Sequence, residues 1–179
     1  MTYRAVLWDF ALDNHGYVTT QDARELGVPS IELAKLAARS KLTNVSYGLY
    51  RFEDAPTSRF DQYHEAVLRV GPGAYLTRDA VLSLHELALV NPRRIRVGVP
   101  RRNRAAVPEW IEVVRERIPA ADLTTYDRIA SVTVARALID CRELVMTERL
   151  LQALDEATRR GLVRRGDRSR VEDALTGAG

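Results

Sequence analysis

The chain has 179 residues, of which 46% are hydrophobic and 28% are charged, and its formal net charge is +3. This composition is typical of a globular protein with one domain or two small ones, and it argues against a disordered chain. No apolar run approaches the ~18 residues of a membrane span, and no signal-peptide pattern is present at the N-terminus. The single cysteine, Cys141, excludes an internal disulfide framework and a cysteine-based zinc site. We expect a cytoplasmic protein.

The chain opens with two predicted helices. The first covers residues 3–14. The second is short and begins after Thr19, whose hydroxyl can cap the free amides of the first turn. Asp22, three residues later, completes a capping-box pattern. Gly27 ends this helix, because glycine is the usual residue just past a helix C-terminus.

A third helix is predicted over Ile31–Arg39, with Ser30 as its N-cap. Apolar residues spaced at i, i+3 and i+4 define the side expected to face the core. These are Leu33, Leu36 and Ala37. The charged residues expected on the opposite side are Glu32, Lys35 and Arg39.

A β-hairpin is predicted next, with strands at residues 41–45 and 49–52 and a turn at 46–48. Helix, turn, helix and hairpin in this order are typical of a winged helix-turn-helix, whose second helix can enter the major groove of DNA. The candidate DNA-binding residues on this helix, the following loop and the hairpin are Ser30, Lys35, Arg39, Lys41, Asn44, Ser46 and Tyr47.

Charge leaves an alternative for this segment. Residues 1–60 contain seven Lys and Arg against seven Asp and Glu. Because neutralisation of phosphates is normally the main contribution to DNA affinity, a protein-binding winged helix remains possible. We favour double-stranded DNA as the partner of this winged helix.

A polar segment at residues 53–58 predicts a boundary between domains 1–55 and 56–179. The second domain is predicted to be a small α+β domain with a short antiparallel sheet, so the fold class is α+β. Its predicted strands cover residues 95–99, 111–114 and 129–132. Its predicted helices cover residues 60–70, 75–87, 133–141 and 147–160, with a further short helix at 167–175.

Six arginines flank the strand at residues 95–99 and the loop after it. They are Arg93, Arg94, Arg96, Arg101, Arg102 and Arg104. Such a cluster is compatible with a solvated loop, a second phosphate contact or a docking surface for an acidic partner. We favour the docking surface for an acidic partner. A second arginine cluster, at residues 159–170, is expected to be the charged end of the last long helix.

Catalytic and metal-binding patterns are missing from the sequence. The three histidines, His15, His64 and His85, have no metal-ligand spacing. No phosphate-binding glycine motif and no nucleophile elbow occurs. We therefore expect a binding protein without enzyme activity, metal or cofactor.

The run at residues 17–52, YVTTQDARELGVPSIELAKLAARSKLTNVSYGLYRF, resembles the N-terminal winged helix of AbiEi-type antitoxins. The resemblance continues through residues 75–85, 95–102 and 132–140, in the order of the family. Residues 44–48 of the hairpin carry no charge, whereas family members often have a basic hairpin.

The resemblance implies an antitoxin of a toxin–antitoxin system. Such a protein represses its own operon through the winged helix and neutralises a nucleotidyltransferase-like toxin, and the domain after the winged helix carries the antitoxin activity. The alternative is a one-component transcriptional regulator with a sensing or partner-binding second domain.

Overall fold

The computed structural model describes residues 2–39 and 41–177. The fold is mixed α+β, with a three-stranded antiparallel sheet and a five-stranded mixed sheet. The chain divides into two compact units, Met1–Arg69 and Val70–Gly179. The boundary predicted from sequence, between residues 55 and 56, lies before the helix that precedes this division. Among the described residues, no helix is both long enough and apolar enough to cross a membrane.

The first unit consists of short helices packed on a small sheet. Its elements are α1 (Tyr3–Leu12), β1 (Tyr17–Thr19), α2 (Thr20–Glu25), α3 (Ser30–Ala38), β2 (Leu42–Ser46), β3 (Leu49–Phe52) and α4 (Asp61–Val70), the last of which ends at the division between the units. The sheet order is β1-β3-β2, and both pairings are antiparallel. Buried apolar side chains from α1, α2, α3 and all three strands join in one core.

The predicted capping box at the start of α2 is confirmed. The Thr19 hydroxyl accepts a hydrogen bond from the Asp22 amide at 3.0 Å, and the Asp22 carboxylate accepts one from the Thr19 amide at 2.8 Å. The prediction that Ser30 caps α3 is wrong. Pro29 occupies the N-cap position without a side-chain hydrogen bond, and Ser30 is the first helical residue. The proline fixes φ at −60° and so directs the chain into the helix without a capping hydroxyl.

The hairpin β2–β3 is confirmed, but β1 was not predicted. β1 has three residues and pairs with β3 through Tyr17↔Arg51 to Thr19↔Leu49. A strand this short gives too few residues for an alternating pattern to be detected.

The second unit carries the five-stranded sheet. Its elements are β4 (Tyr75–Leu76), α5 (Asp79–Leu84), β5 (Ile95–Val99), β6 (Ile111–Arg115), a 3₁₀ turn (Ala120–Asp122), β7 (Leu123–Tyr126), β8 (Ile129–Val132), α6 (Val134–Asp140), α7 (Thr147–Arg159) and α8 (Arg165–Thr176). The strand order is β6-β5-β4-β8-β7.

The prediction of an antiparallel sheet is wrong, because two of its four pairings are parallel. β5 pairs in parallel with β6, starting at Ile95↔Ile111, and β4 pairs in parallel with β8 at Leu76↔Ser131. Antiparallel strands can be joined by a tight turn, but parallel neighbours need a longer crossover. Residues 100–110 form such a crossover without a helix.

The prediction of one helix over residues 75–87 is also wrong at its start. Tyr75 and Leu76 form β4, the central strand, and α5 begins only at Asp79. A two-residue apolar strand fits a helical pattern equally well, so local periodicity does not separate the two structures.

Candidate nucleic-acid interface and arginine cluster

The turn between α2 and α3 is closed by backbone hydrogen bonds. The Gly27 amide donates to the Arg24 carbonyl at 3.0 Å, and the Val28 amide donates to the Ala23 carbonyl at 2.7 Å. This is a Schellman motif, and it requires a left-handed residue, which Gly27 supplies at φ +71°. Val28 is buried. The orientation of α3 against α2 is therefore fixed by local chemistry.

The packing of α3 agrees with the predicted faces. Leu33 and Leu36 are buried, whereas Lys35 and Arg39 are exposed. Lys35 forms an ion pair with Glu32 at 2.7 Å across one turn of the helix. Part of the positive charge predicted for this surface is therefore already neutralised.

The exposed side of α3 also carries apolar residues, which the charge-based selection of residues missed. Ile31 is 58% exposed, and Ala34 and Ala38 are exposed as well. These three residues follow the helical spacing i, i+3 and i+7 on the exposed side of α3. That spacing is visible in the sequence and could have identified them.

The hairpin ends in a tight turn at Tyr47 and Gly48. Tyr47 is fully exposed and therefore has no role in the core. Gly48 has φ +69°, and a Cβ there would lie 2.9 Å from the Thr20 hydroxyl oxygen. The Thr20 amide donates to the Gly48 carbonyl at 2.9 Å. The tip of the hairpin is thus held against the start of α2.

All seven candidate DNA-binding residues belong to α3, the loop after it, and the β2–β3 hairpin of the first unit. Six are exposed: Ser30, Lys35, Arg39, Lys41, Asn44 and Tyr47. Ser46 is half-buried and lies at a register shift between β2 and β3. The Lys41 amide donates to the Leu36 carbonyl at 3.0 Å, which ties the loop to the end of α3.

The six arginines of the predicted cluster at residues 93–104 do not share one environment. Five are exposed: Arg93, Arg94, Arg101, Arg102 and Arg104. Arg96 is half-buried on β5, where it forms a short ion pair with Asp79 and contacts Glu112 at 3.3 Å. Its guanidinium already has carboxylate partners, so Arg96 serves the fold. Arg101, Arg102 and Arg104 lie in the loop after β5. In this loop the side-chain amide of Asn103 donates to the Val70 carbonyl at 2.8 Å.

A cluster of buried polar groups lies beside Arg96. Arg78 has φ +55° and its guanidinium lies 3.6 Å from Glu116. One carboxylate oxygen of Asp79 and one of Glu116 are buried without a hydrogen-bond partner among the described residues.

Burial, with the nearby carboxylate of Asp79, raises the pKa of the Cys141 thiol to about 12. The thiol is therefore protonated at neutral pH, and a protonated thiol is a poor nucleophile.

The second unit also contains a cavity of about 650 Å³. Polar side chains lining it include His85, Asp122, Thr124, Tyr126, Arg164 and Arg170. The rings of His85 and Tyr126 pack edge to face, 4.2 Å apart. The volume is within the range of small-molecule sites, ~300–1,000 Å³. Within residues 2–39 and 41–177, no group of three or more His, Cys, Asp or Glu side chains is arranged to hold a metal ion.

No model of a known protein family matches the chain, and no curated protein matches it. Among solved structures, the chain is similar to one described as the crystal structure of RV2827C protein from Mycobacterium tuberculosis. The TM-score is 0.48, the identity is 15%, and the match covers 98% of this chain and 78% of that chain. The TM-score and the identity are both too low to support an inference about function. The function of the chain is therefore inferred from its own residues.

Proposed function

We propose that the chain is an antitoxin of a toxin–antitoxin system. It neutralises a nucleotidyltransferase-like toxin and represses its own operon by binding double-stranded operator DNA. The antitoxin part of the proposal is supported by the resemblance of residues 17–52, 75–85, 95–102 and 132–140 to AbiEi-type antitoxins. The DNA-binding part has separate support in the geometry of the first unit.

One observation carries the DNA-binding proposal: α3 is braced by a Schellman turn on one side and followed by a hairpin with an exposed tip. The order of elements from α2 to β3 is that of a winged helix-turn-helix, in which the second helix lies in the major groove. The residues available to DNA are exposed, apart from the half-buried Ser46. Lys35, Arg39 and Lys41 supply the positive charge at this surface.

Charge reversal at Lys35 and Arg39 tests the DNA-binding proposal. The double variant Lys35→Glu/Arg39→Glu should lose operator binding, because two phosphate-neutralising charges become repulsive. Both side chains are exposed, so the fold should be retained. The assay is an electrophoretic mobility shift with the DNA upstream of the chain's own coding sequence.

A matched control changes the net charge equally but outside the proposed interface. Arg117 and Arg142 are exposed in the second unit, and the variant Arg117→Glu/Arg142→Glu should bind DNA nearly as the wild type does. Wild-type affinity in the Lys35/Arg39 variant would refute the proposed interface. Equal losses in both variants would indicate a nonspecific effect of net charge.

For the toxin, we propose that the exposed arginines contact an acidic surface of the partner. These are Arg93, Arg94, Arg101, Arg102 and Arg104. Replacing all five with alanine should abolish neutralisation in a growth assay. Arg96 stays unchanged in this variant, because its ion pairs with Asp79 and Glu112 stabilise the fold. Full neutralisation by the five-alanine variant would reject the arginine surface as the toxin-binding site.

The cavity of about 650 Å³ favours a second candidate function, a one-component regulator with a sensing domain. Thr124 is exposed and lines this cavity, and Thr124→Trp would fill part of it. In a sensor, this substitution should abolish the response of the promoter to an inducer while DNA binding persists. In an antitoxin that uses the arginine surface, growth rescue should be unaffected.

A further inference from the structure

The exposed side of α3 carries apolar and positively charged residues next to one another. At about 100° per residue, Ile31 and Lys35 each lie about 160° from Leu33 around the helix axis, and Ala38 lies about 140° from it. Ala34 is displaced by about 60° from Ile31 in one direction and Lys35 by about 40° in the other. Arg39 lies beyond Lys35 on the same side. The residues that would point most directly into a groove are therefore Ile31, Lys35 and Ala38.

These apolar side chains cannot recognise bases through hydrogen bonds. Ile31, Ala34 and Ala38 carry neither a donor nor an acceptor on their side chains. In the major groove, the apolar group that distinguishes one base pair from another is the C5 methyl of thymine, which apolar side chains contact directly. The two alanines add only a Cβ each, so the helix backbone can approach the base edges closely.

The size and charge of this surface favour DNA as its occupant. A stable protein–protein interface buries about 800 Å² on each partner, which is far more than Ile31, Ala34 and Ala38 can supply together. Positive charge continues from Lys35 and Arg39 to Lys41 in the following loop, as expected beside a phosphate backbone. Ile31 lies in the first turn of α3, and the N-terminal part of a recognition helix is the part that contacts base edges.

We propose that α3 recognises thymine methyl groups through Ile31, Ala34 and Ala38, while Lys35 and Arg39 bind phosphates on the flanking backbone. This inference rests on the proposed DNA-binding function and adds its chemical basis of sequence specificity. Thymines are then required in the major groove of the binding site. Affinity and specificity reside in different residues of the same helix.

Deoxyuridine provides a direct test, because it differs from thymidine only by lacking the C5 methyl group. The probes are duplexes of the region upstream of the chain's own coding sequence, amplified with dTTP or with dUTP. Each methyl group that is contacted should contribute about fourfold in affinity. The full chain should therefore bind the thymine duplex at least tenfold more tightly than the uracil duplex.

Two variants connect the discrimination to the residues proposed. Ile31→Ala should reduce the thymine-to-uracil affinity ratio, and its fold should be retained because the Ile31 side chain is 58% exposed. Lys35→Ala should weaken binding to both duplexes by the same factor and leave the ratio unchanged. A ratio in Ile31→Ala equal to that of the wild type would overturn the assignment to α3.

The outcomes separate this inference from the function on which it rests. Equal affinity of the wild type for the thymine and uracil duplexes overturns methyl recognition, but DNA binding stands. Absence of binding to both duplexes overturns the DNA-binding proposal and this inference together. Tight binding of the wild type to the thymine duplex alone, with a smaller preference in Ile31→Ala, supports both methyl recognition and DNA binding.

Discussion

The hydroxyl of Tyr17 on β1 donates a 2.7 Å hydrogen bond to the carboxylate of Glu65 on α4. Arg51 on β3 contacts Asp61 on the same helix at 3.1 Å. These contacts attach α4 to the small sheet of the first unit. They explain why the division between the units follows α4 rather than the polar segment at residues 53–58.

Removal of the Tyr17 hydroxyl should weaken this attachment. Tyr17→Phe should lower the free energy of unfolding of the first unit by about 1 kcal/mol, the typical net value of one hydrogen bond. Glu65 keeps its ion pair with Arg69 at 2.7 Å, so the carboxylate is not left unpaired. Urea unfolding followed by Trp8 fluorescence in a Trp110→Phe background reports on this unit. The control is Tyr50→Phe, which removes a hydroxyl from a half-buried ring and should leave the free energy of unfolding unchanged. Equal losses of stability in the two variants would argue against the role of the Tyr17 hydroxyl.

Arg96 should matter for stability and Arg94 should not. Arg96→Ala leaves the buried carboxylate of Asp79 without its ion pair, at an expected cost of about 2 to 3 kcal/mol. Arg94 is exposed, and Arg94→Ala should change stability by less than about 0.5 kcal/mol. Thermal unfolding measures both. Adding Asp79→Asn to Arg96→Ala should recover part of the loss, and the absence of any difference between Arg96→Ala and Arg94→Ala would contradict this assignment.

His64 should make the first unit sensitive to acid. Burial, aided by the neighbouring His15 ring at 4.9 Å and opposed by Asp61, lowers the pKa of His64 from 6.5 to about 4. The unfolded chain therefore binds a proton at higher pH than the folded chain does. The stabilisation by neutral His64 is complete above pH 6.5 and is lost as the pH falls from 6.5 to about 4.

The size of this loss is at most about 3 kcal/mol, from 1.36 kcal/mol per pKa unit. The measurement compares the free energy of unfolding of the wild type and of His64→Leu between pH 7 and pH 4, with Trp8 as the probe. The wild type should lose more stability than His64→Leu over this interval. Parallel pH dependences of the two proteins would contradict the shifted pKa.

Two glycines should respond to alanine in opposite directions. A Cβ at Gly98 on β5 would overlap the Tyr75 ring, which is held by a 2.9 Å hydrogen bond from its hydroxyl to the Glu116 carbonyl. Gly98→Ala should therefore cost about 1 to 3 kcal/mol. Gly166 in α8 has open space around it, and Gly166→Ala should gain about 0.5 to 1 kcal/mol. Circular dichroism melts test both, and a neutral Gly98→Ala would show that Tyr75 can move.

Features controlled by neighbouring residues were predictable from the sequence. The capping box of Thr19 and Asp22, the hairpin over residues 42–52 and the long helix ending before Gly161 all depend on contacts within a few residues. Strands β5 and β8 were predicted for the same reason, since each alternates or runs apolar over four or five residues.

Features controlled by distant pairing were not predictable. β4 has two residues, and its strand character comes from partners at Gly98 and Ser131. Arg96 looked like its exposed neighbours because its partner Asp79 lies 17 positions away in the chain. At the candidate DNA surface, periodicity indicated the exposed side of α3, but attention to charge alone left out Ile31 and the two alanines beside it.

Growth rescue tests the proposed antitoxin function most directly. The gene adjacent to that of this chain is expressed alone and then together with the chain. We predict that the adjacent gene is toxic alone, and that both the wild-type chain and the Lys35→Glu/Arg39→Glu variant restore growth, because neutralisation does not require DNA binding. A harmless neighbouring gene, or toxicity that the wild-type chain does not relieve, would contradict the antitoxin function.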